Sequence, residues 1–127
     1  MAKEFSQRKL DVLRREWQKL LRLQDWRITA RFVNYEDLAD DRVGECSNLA
    51  DSKEADIKII HPEQLKDASE TDKDLENTLV HELLHCHFSP FRSNEEGTII
   101  QHEQAIVAIT EALVGLKRRK RAIAKRK

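Results

Sequence analysis

Apolar positions in the first part of the chain recur at helical spacing. Phe5, Leu10, Leu13, Trp17, Leu20 and Leu21 gather on one side of a 3.6-residue turn while charges fill the other faces, which predicts an amphipathic helix over 5–24. The period then drops to two. In DWRITARFV (25–33), Trp26, Ile28, Ala30 and Phe32 alternate with Arg27, Thr29 and Arg31, the pattern of a strand with one buried face. An acidic, loop-like stretch covers 34–41. GECSNLA, opened by Gly44, and ADIKIIHP (55–62), stopped by Pro62, predict two further strands. Helical spacing returns from Thr71 through Leu75, Leu79, Val80, Leu83 and Leu84, with Thr71 and Asp74 resembling a capping box in which Asp replaces Glu. Phe88-Ser89-Pro90 ends that helix. Ser93 with Glu96 forms a second capping box, opening a last helix that runs to about Leu116, with its continuation into the basic stretch open. The expected fold class is α+β: an N-terminal helix, a short three-stranded sheet, and two more helices, with no internal repeat.

Composition narrows the class without changing this layout. A chain of 127 residues fits one domain and is long enough to bury a modest core without disulfides. Charged residues make up 36% and hydrophobic ones 39%, with 3 Gly and 2 Pro, which argues against a disordered or low-complexity chain. No apolar run approaches the ~18 residues that would span a bilayer. The stretch MAKEFSQRKLDVLRREW mixes acids with bases and has no apolar core, so no secretory signal is expected and the expected compartment is the cytoplasm. Cys46 and Cys86 are then expected to be free thiols.

Net charge is zero, but it is unevenly distributed. KRRKRAIAKRK (117–127) holds eight bases and no acid, so 1–116 keeps the remaining 15 of 23 bases against all 23 acids, a net of −8. The expected division is a single domain over 1–116 and a basic C-terminal tail over 117–127. Such a tail suits the negative end of a helix dipole and also suits a nucleic acid or an acidic partner.

The candidate chemistry lies in LVHELLHCHF (79–88). Residues four apart on a helix stand one above the other, so His81 and His85 can aim imidazole nitrogens at one point about 2 Å from a zinc ion. Glu82, one residue on, reaches a water on the metal rather than the metal itself. Two neutral nitrogen ligands and a carboxylate that takes a proton from water are what metal-assisted hydrolysis requires. Leu79, Leu83 and Cys86, on the opposite face, would anchor the helix in the core. The bland alternative is an amphipathic helix whose histidines merely hydrogen-bond to neighbours.

A catalytic zinc site needs a third protein ligand. In NEEGTIIQHEQAIVAITEALVG (94–115), a 100°-per-residue wheel puts Ile99, Ile100, Ile106, Val107, Thr110 and Val114 within about 60° of Glu103. A carboxylate centred on an apolar stripe is expensive to bury unless paired or metal-bound, so Glu103 is the expected ligand. His102 and Glu111 stay open as alternatives. Glu95 and Glu96 belong to a first turn, where acids favour the helix dipole. Tyr35 and His87 read first as packing or surface residues, with oxyanion donor the alternative role for either; Cys46 reads as a small apolar filler and His61 as a strand terminator.

With TLVHELLH following a short sheet and Glu103 on the next helix, the chain resembles the compact zinc metallopeptidases of the gluzincin type. Among them it is most similar to the small phage and prophage minigluzincin-like proteins. The specific likeness covers 81–103 and the fold-level one about 25–116. It implies a small zincin-like domain with Zn2+ held by His81, His85 and Glu103, Glu82 as general base, and peptide or protein substrates. It also implies that the edge strand of the sheet pairs with substrate, a role open to either GECSNLA or ADIKII. The alternative function is a catalytically silent zinc-binding module that grips a host protein or, through 117–127, nucleic acid.

Overall fold

The computed structural model describes residues 5–38, 42–65 and 73–126. Helix α1 (Gln7–Leu20) begins where the Ser6 hydroxyl accepts the Lys9 amide at 3.1 Å. It ends earlier than its apolar spacing suggests. Arg22 adopts a left-handed backbone, φ 63°, and the amides of Arg22 and Leu23 turn back to the carbonyls of Lys19 and Gln18 at 3.1 and 2.8 Å. That is a Schellman stop with arginine where glycine usually stands, at a strain of about 1–2 kcal/mol. Gln18, itself buried, holds the turn by donating to the carbonyls of Leu23 and Trp26.

Strands β1 (Arg27–Val33), β2 (Gly44–Leu49) and β3 (Glu54–Ile60) form a mixed sheet in the order β1-β3-β2. β1 runs parallel to β3 with Ile28 opposite Ala55, and β2 runs antiparallel to β3 with Cys46 opposite Ile57. Ile28, Ala30, Ile57 and Ile59 join one core with Leu10, Trp17, Leu79, Val80, Leu83 and Ile106. The other sheet face is polar, and there Thr29 and Arg31 reach across to Asp56. The molecule is therefore α+β with helices packed on one side of the sheet. The alternation read in β1 holds: its arginines and Thr29 are exposed.

Helix α2 (Leu75–Phe88) is capped by Asp74, whose carboxylate accepts the Asn77 amide at 3.1 Å. The cap is thus Asp74 itself, and Thr71, expected to cap, lies outside the described residues. A 3-10 turn, Ser89–Phe91, follows. Helix α3 runs Glu96–Arg126, past Leu116 and on through the basic stretch, the continuation that the sequence leaves open. At its start the Ser93 hydroxyl accepts the Glu95 amide at 3.0 Å, a local turn two residues long that stands in place of the expected capping box with Glu96.

α2 and α3 make a hairpin running in opposite directions, tied at its far end by charge. Arg118 meets Asp74 at 2.8 Å. Glu76, almost fully buried, accepts the Trp17 indole N–H at 2.6 Å and the Lys117 ammonium, which also reaches Glu16 at 2.6 Å and lies 4.8 Å from the centre of the Trp17 ring. The first bases of the 117–127 run are thus cross-braces between three helices. Among the described residues, no helix is long and apolar enough to cross a membrane.

Candidate metal centre

Each turn of α2 sends apolar residues into the core: Leu79, Val80 and Leu83 are fully buried, and Cys86 is nearly so. That anchorage leaves His81 and His85, four residues apart, facing α3 toward the end of the hairpin where the two helices are connected. His85 Nε2 lies 3.0 Å from Glu103 Oε1, and His81 Nε2 lies 3.1 Å from Glu103 Oε2. The imidazole centroids are 5.3 Å apart. One ligand atom from each of the three residues falls within 4.8 Å of the others. A four-coordinate ion about 2.0–2.2 Å from each donor sets its ligands about 3.4 Å apart, and the Glu103 contacts, at 3.0–3.2 Å, come within a few tenths of an ångström of that edge. Two imidazole nitrogens and a carboxylate are a fitting donor set for a divalent transition metal.

Of the alternatives for the third position, His102 packs against Phe88, centroids 5.4 Å apart, and does not join the cluster; nor does Glu111, although both line the same cleft. The expectation that Glu103 is a buried acid needs correction. Its side chain is 47% exposed, and Ile99 and Val107, on the same stripe, are 49% and 41% exposed. α3 buries Ile106, Thr110 and Val114, with Leu113 packed partly buried beside them. The rest of the stripe forms a wall of the cleft, and an acid standing in it is wet on one side.

The cleft has a volume of about 680 Å³ and is lined by β2, α2 and α3 together. Glu82 lies on its floor, 7% exposed. Burial raises the pKa of Glu82 against the opposing pull of His85 and His81. Hydrogen bonds from His81 and His85 hold Glu103 well below the ordinary carboxylate range. Burial lowers the His85 pKa, but its hydrogen bond to Glu103 and the neighbouring carboxylate charges outweigh that, and the net shift is upward. A metal ion would have to displace that proton, so uptake weakens as the pH falls.

Gly44 is a site residue that sequence reasoning missed. A Cβ built there would stand 3.0 Å from Glu82 Oε2, 3.0 Å from Thr78 Cγ2 and 3.2 Å from Glu82 Cγ. Only a residue without a side chain lets β2 close down over the Glu82 carboxylate. The one signal in the sequence was a glycine at the head of a strand, which reads equally well as a simple strand start.

β2 also ends the sheet. The Ile60 amide donates to the Val43 carbonyl at 2.9 Å, which fixes the parity of the ladder. Gly44, Cys46 and Asn48 therefore turn their backbone N–H and C=O groups away from β3, toward the cleft. Arg92 reaches this edge at one end, donating to the Asn48 side chain and approaching its carbonyl at 3.4 Å. Of the two strands expected to offer an edge, GECSNLA does so, whereas ADIKII is the central strand.

Tyr35 and His87 follow the packing-or-surface reading and not the oxyanion alternative: neither lines the cleft. Tyr35 sits exposed in the 3-10 turn after β1, and His87 turns to the other side of α2, its Nε2 2.6 Å from the Leu21 carbonyl. His61 closes β3 as expected, stacking on Phe32 and accepting the Glu63 amide. Cys46 and Cys86 are free thiols. The hydrogen bond between them lowers the pKa of Cys46 and raises that of Cys86, and burial pushes both upward. Compared with known protein families, curated proteins and solved structures, the chain matches none.

Proposed function

We propose that the protein is a zinc-dependent peptidase of the compact zincin type, with His81, His85 and Glu103 as metal ligands and Glu82 as general base. The observation that carries this reading is one juxtaposition. Three ligand-type side chains converge within 4.8 Å, and a buried glutamate on the adjoining helical position faces the same cleft, beside a bare strand edge. A histidine pair with one carboxylate is the donor set of several catalytic zinc sites and leaves a coordination position for water. Zinc bound there supplies Lewis acidity, polarising a carbonyl and lowering the pKa of water toward neutrality.

The protein's own groups supply the rest. The outward-facing amides and carbonyls of Gly44 and Cys46 align an extended peptide antiparallel to β2, by the same hydrogen-bond pattern that joins β2 to β3. Glu82, kept from bulk water and from rotation by Gly44 and Thr78, takes a proton from the attacking water and then delivers it to the leaving amine. A carboxylate whose pKa is raised by burial suits this double role, since it must both accept and release.

The test is Glu82→Gln. Zinc content should equal that of the wild type, while cleavage of a peptide library, abolished in the wild type by chelator, should fall about 10²–10⁴-fold. Equal cleavage by both proteins would remove Glu82 from the mechanism, and chelator-insensitive cleavage would remove the metal.

A further inference from the structure

α3 does not end where its packing ends. Its last buried residue is Val114, yet the helix continues to Arg126. Three of the bases in this extension are turned inward: Lys117 pairs with Glu16 and Glu76, Arg118 with Asp74, and Arg121 lies 3.8 Å from Glu76 and 3.9 Å from Glu16. Arg119, Lys120, Lys125 and Arg126 are exposed and, among the described residues, no carboxylate lies within ion-pair distance of them. At 100° per residue, Arg119 and Arg126 lie on the side of the helix away from Val114, Lys117 and Arg121, with Lys120 at its flank, while Lys125 stands on the same side as Lys117 and Arg121, one turn beyond the last brace, where it is exposed.

We propose that this exposed helical end is a second binding surface, separate from the metal cleft, which takes the phosphate backbone of a nucleic-acid duplex. Four cations along about 10 Å of helix, roughly one per 2.6 Å, fall between the phosphate spacing of a duplex counted over both strands, ~1.7 Å of axis, and over one strand, ~3.4 Å. No aromatic side chain occurs in 117–126, so there is nothing on which unpaired bases would stack, and the surface favours double over single strands. Leu116 and Ile123 are the exposed large apolar residues on this segment, too little area to hold a helix in a lipid interface. The inward bases fix the helix against α1 and α2, so the outward ones are presented on a rigid rod rather than a loose tail. The body, net −8 over 1–116, repels the same polyanion and confines contact to the projecting end.

The experiment measures binding of the full chain to a labelled DNA duplex of random sequence by fluorescence anisotropy. With about four phosphates neutralised, affinity should fall about 10²-fold between ~50 and ~200 mM salt. The combined variant Arg119→Gln, Lys120→Gln, Lys125→Gln and Arg126→Gln keeps helix-forming side chains and leaves the inward braces in place. It should lose duplex binding with its unfolding midpoint and its metal content unchanged. Equal duplex binding by this variant would overturn the proposal. So would no binding at ~50 mM salt, or binding to phosphatidylserine vesicles but not to duplex. Reversing Lys117 alone to Glu, which disturbs the braces, separates loss of fold from loss of phosphate contacts.

Discussion

A methyl group at position 44 would test the tightest contact in the cleft. In Gly44→Ala the new Cβ meets Glu82 Oε2 and Thr78 Cγ2 at 3.0 Å, closer than van der Waals contact, so either β2 lifts or the carboxylate swings away. We expect a loss of about 1–3 kcal/mol in unfolding free energy, as for overpacked interiors. Turnover should fall as well, with metal content unchanged, since none of the three ligands touches Gly44. Denaturant unfolding alongside kcat and metal analysis checks both parts. At this scale the sequence was most informative where helical geometry alone decides. His81, Glu82 and His85 could be placed because residues four apart share a face, and Glu103 because the wheel put it between Ile99 and Val107. Its exposure was misjudged, since a wheel shows which residues share a stripe but not which part of the stripe meets a neighbour. Gly44 and the outward turn of His87 depended on contacts between elements far apart in the chain, which no local pattern encodes.

Between elements, the braces around Glu76 hold the far end of the helical hairpin. Burial works to raise the Glu76 pKa, but hydrogen bonds from Lys117 and Trp17 and the charges of Lys117 and Arg121 outweigh it, and the net shift is downward. Its stabilisation is therefore complete above the unfolded value near ~4.3 and disappears as the pH falls through the lower folded value. Glu76→Gln should lower stability at neutral pH by about 1.5–3 kcal/mol and should flatten the acid limb of a stability-versus-pH curve; thermal melts from acid to neutral pH measure both. The periodicities identified α1, β1, β3, α2 and α3, because each buries a face whose spacing is fixed by its backbone. Element ends were harder to read. Arg22 takes the left-handed conformation without a glycine to announce it, and Asp74 caps α2 where Thr71 was expected. Strand order was not legible, since alternation reports that a face is buried but not which strand lies alongside. The continuation of α3 to Arg126 was open rather than decided in the sequence for a similar reason: a run of bases reads equally as helix end or tail until Glu16, Glu76 and Asp74 are found opposite it.

Over the whole molecule, the proposed ion would join α2 to α3 at the end of the hairpin that the Glu76 braces leave unsupported. Binding to the folded state alone stabilises by RT ln(1 + [L]/Kd), about 2.7 kcal/mol at free metal of 100 Kd. Zinc-loaded protein should accordingly melt higher than chelated protein, and Glu103→Ala should lose most of that difference; calorimetry with and without chelator reads it. The α+β layout was legible from the succession of periods 3.6, 2 and 3.6. The one-sided packing was foreshadowed by Arg27, Thr29 and Arg31, which left β1 only one apolar face. One feature of that layout reaches past the single chain. β2 closes the sheet with the amides and carbonyls of Gly44, Cys46 and Asn48 turned outward, and a backbone ladder does not discriminate between an incoming peptide and a copy of itself. Two molecules meeting along that border would each shut the other's cleft, so crowding would act as a brake on the protein without any dedicated inhibitor.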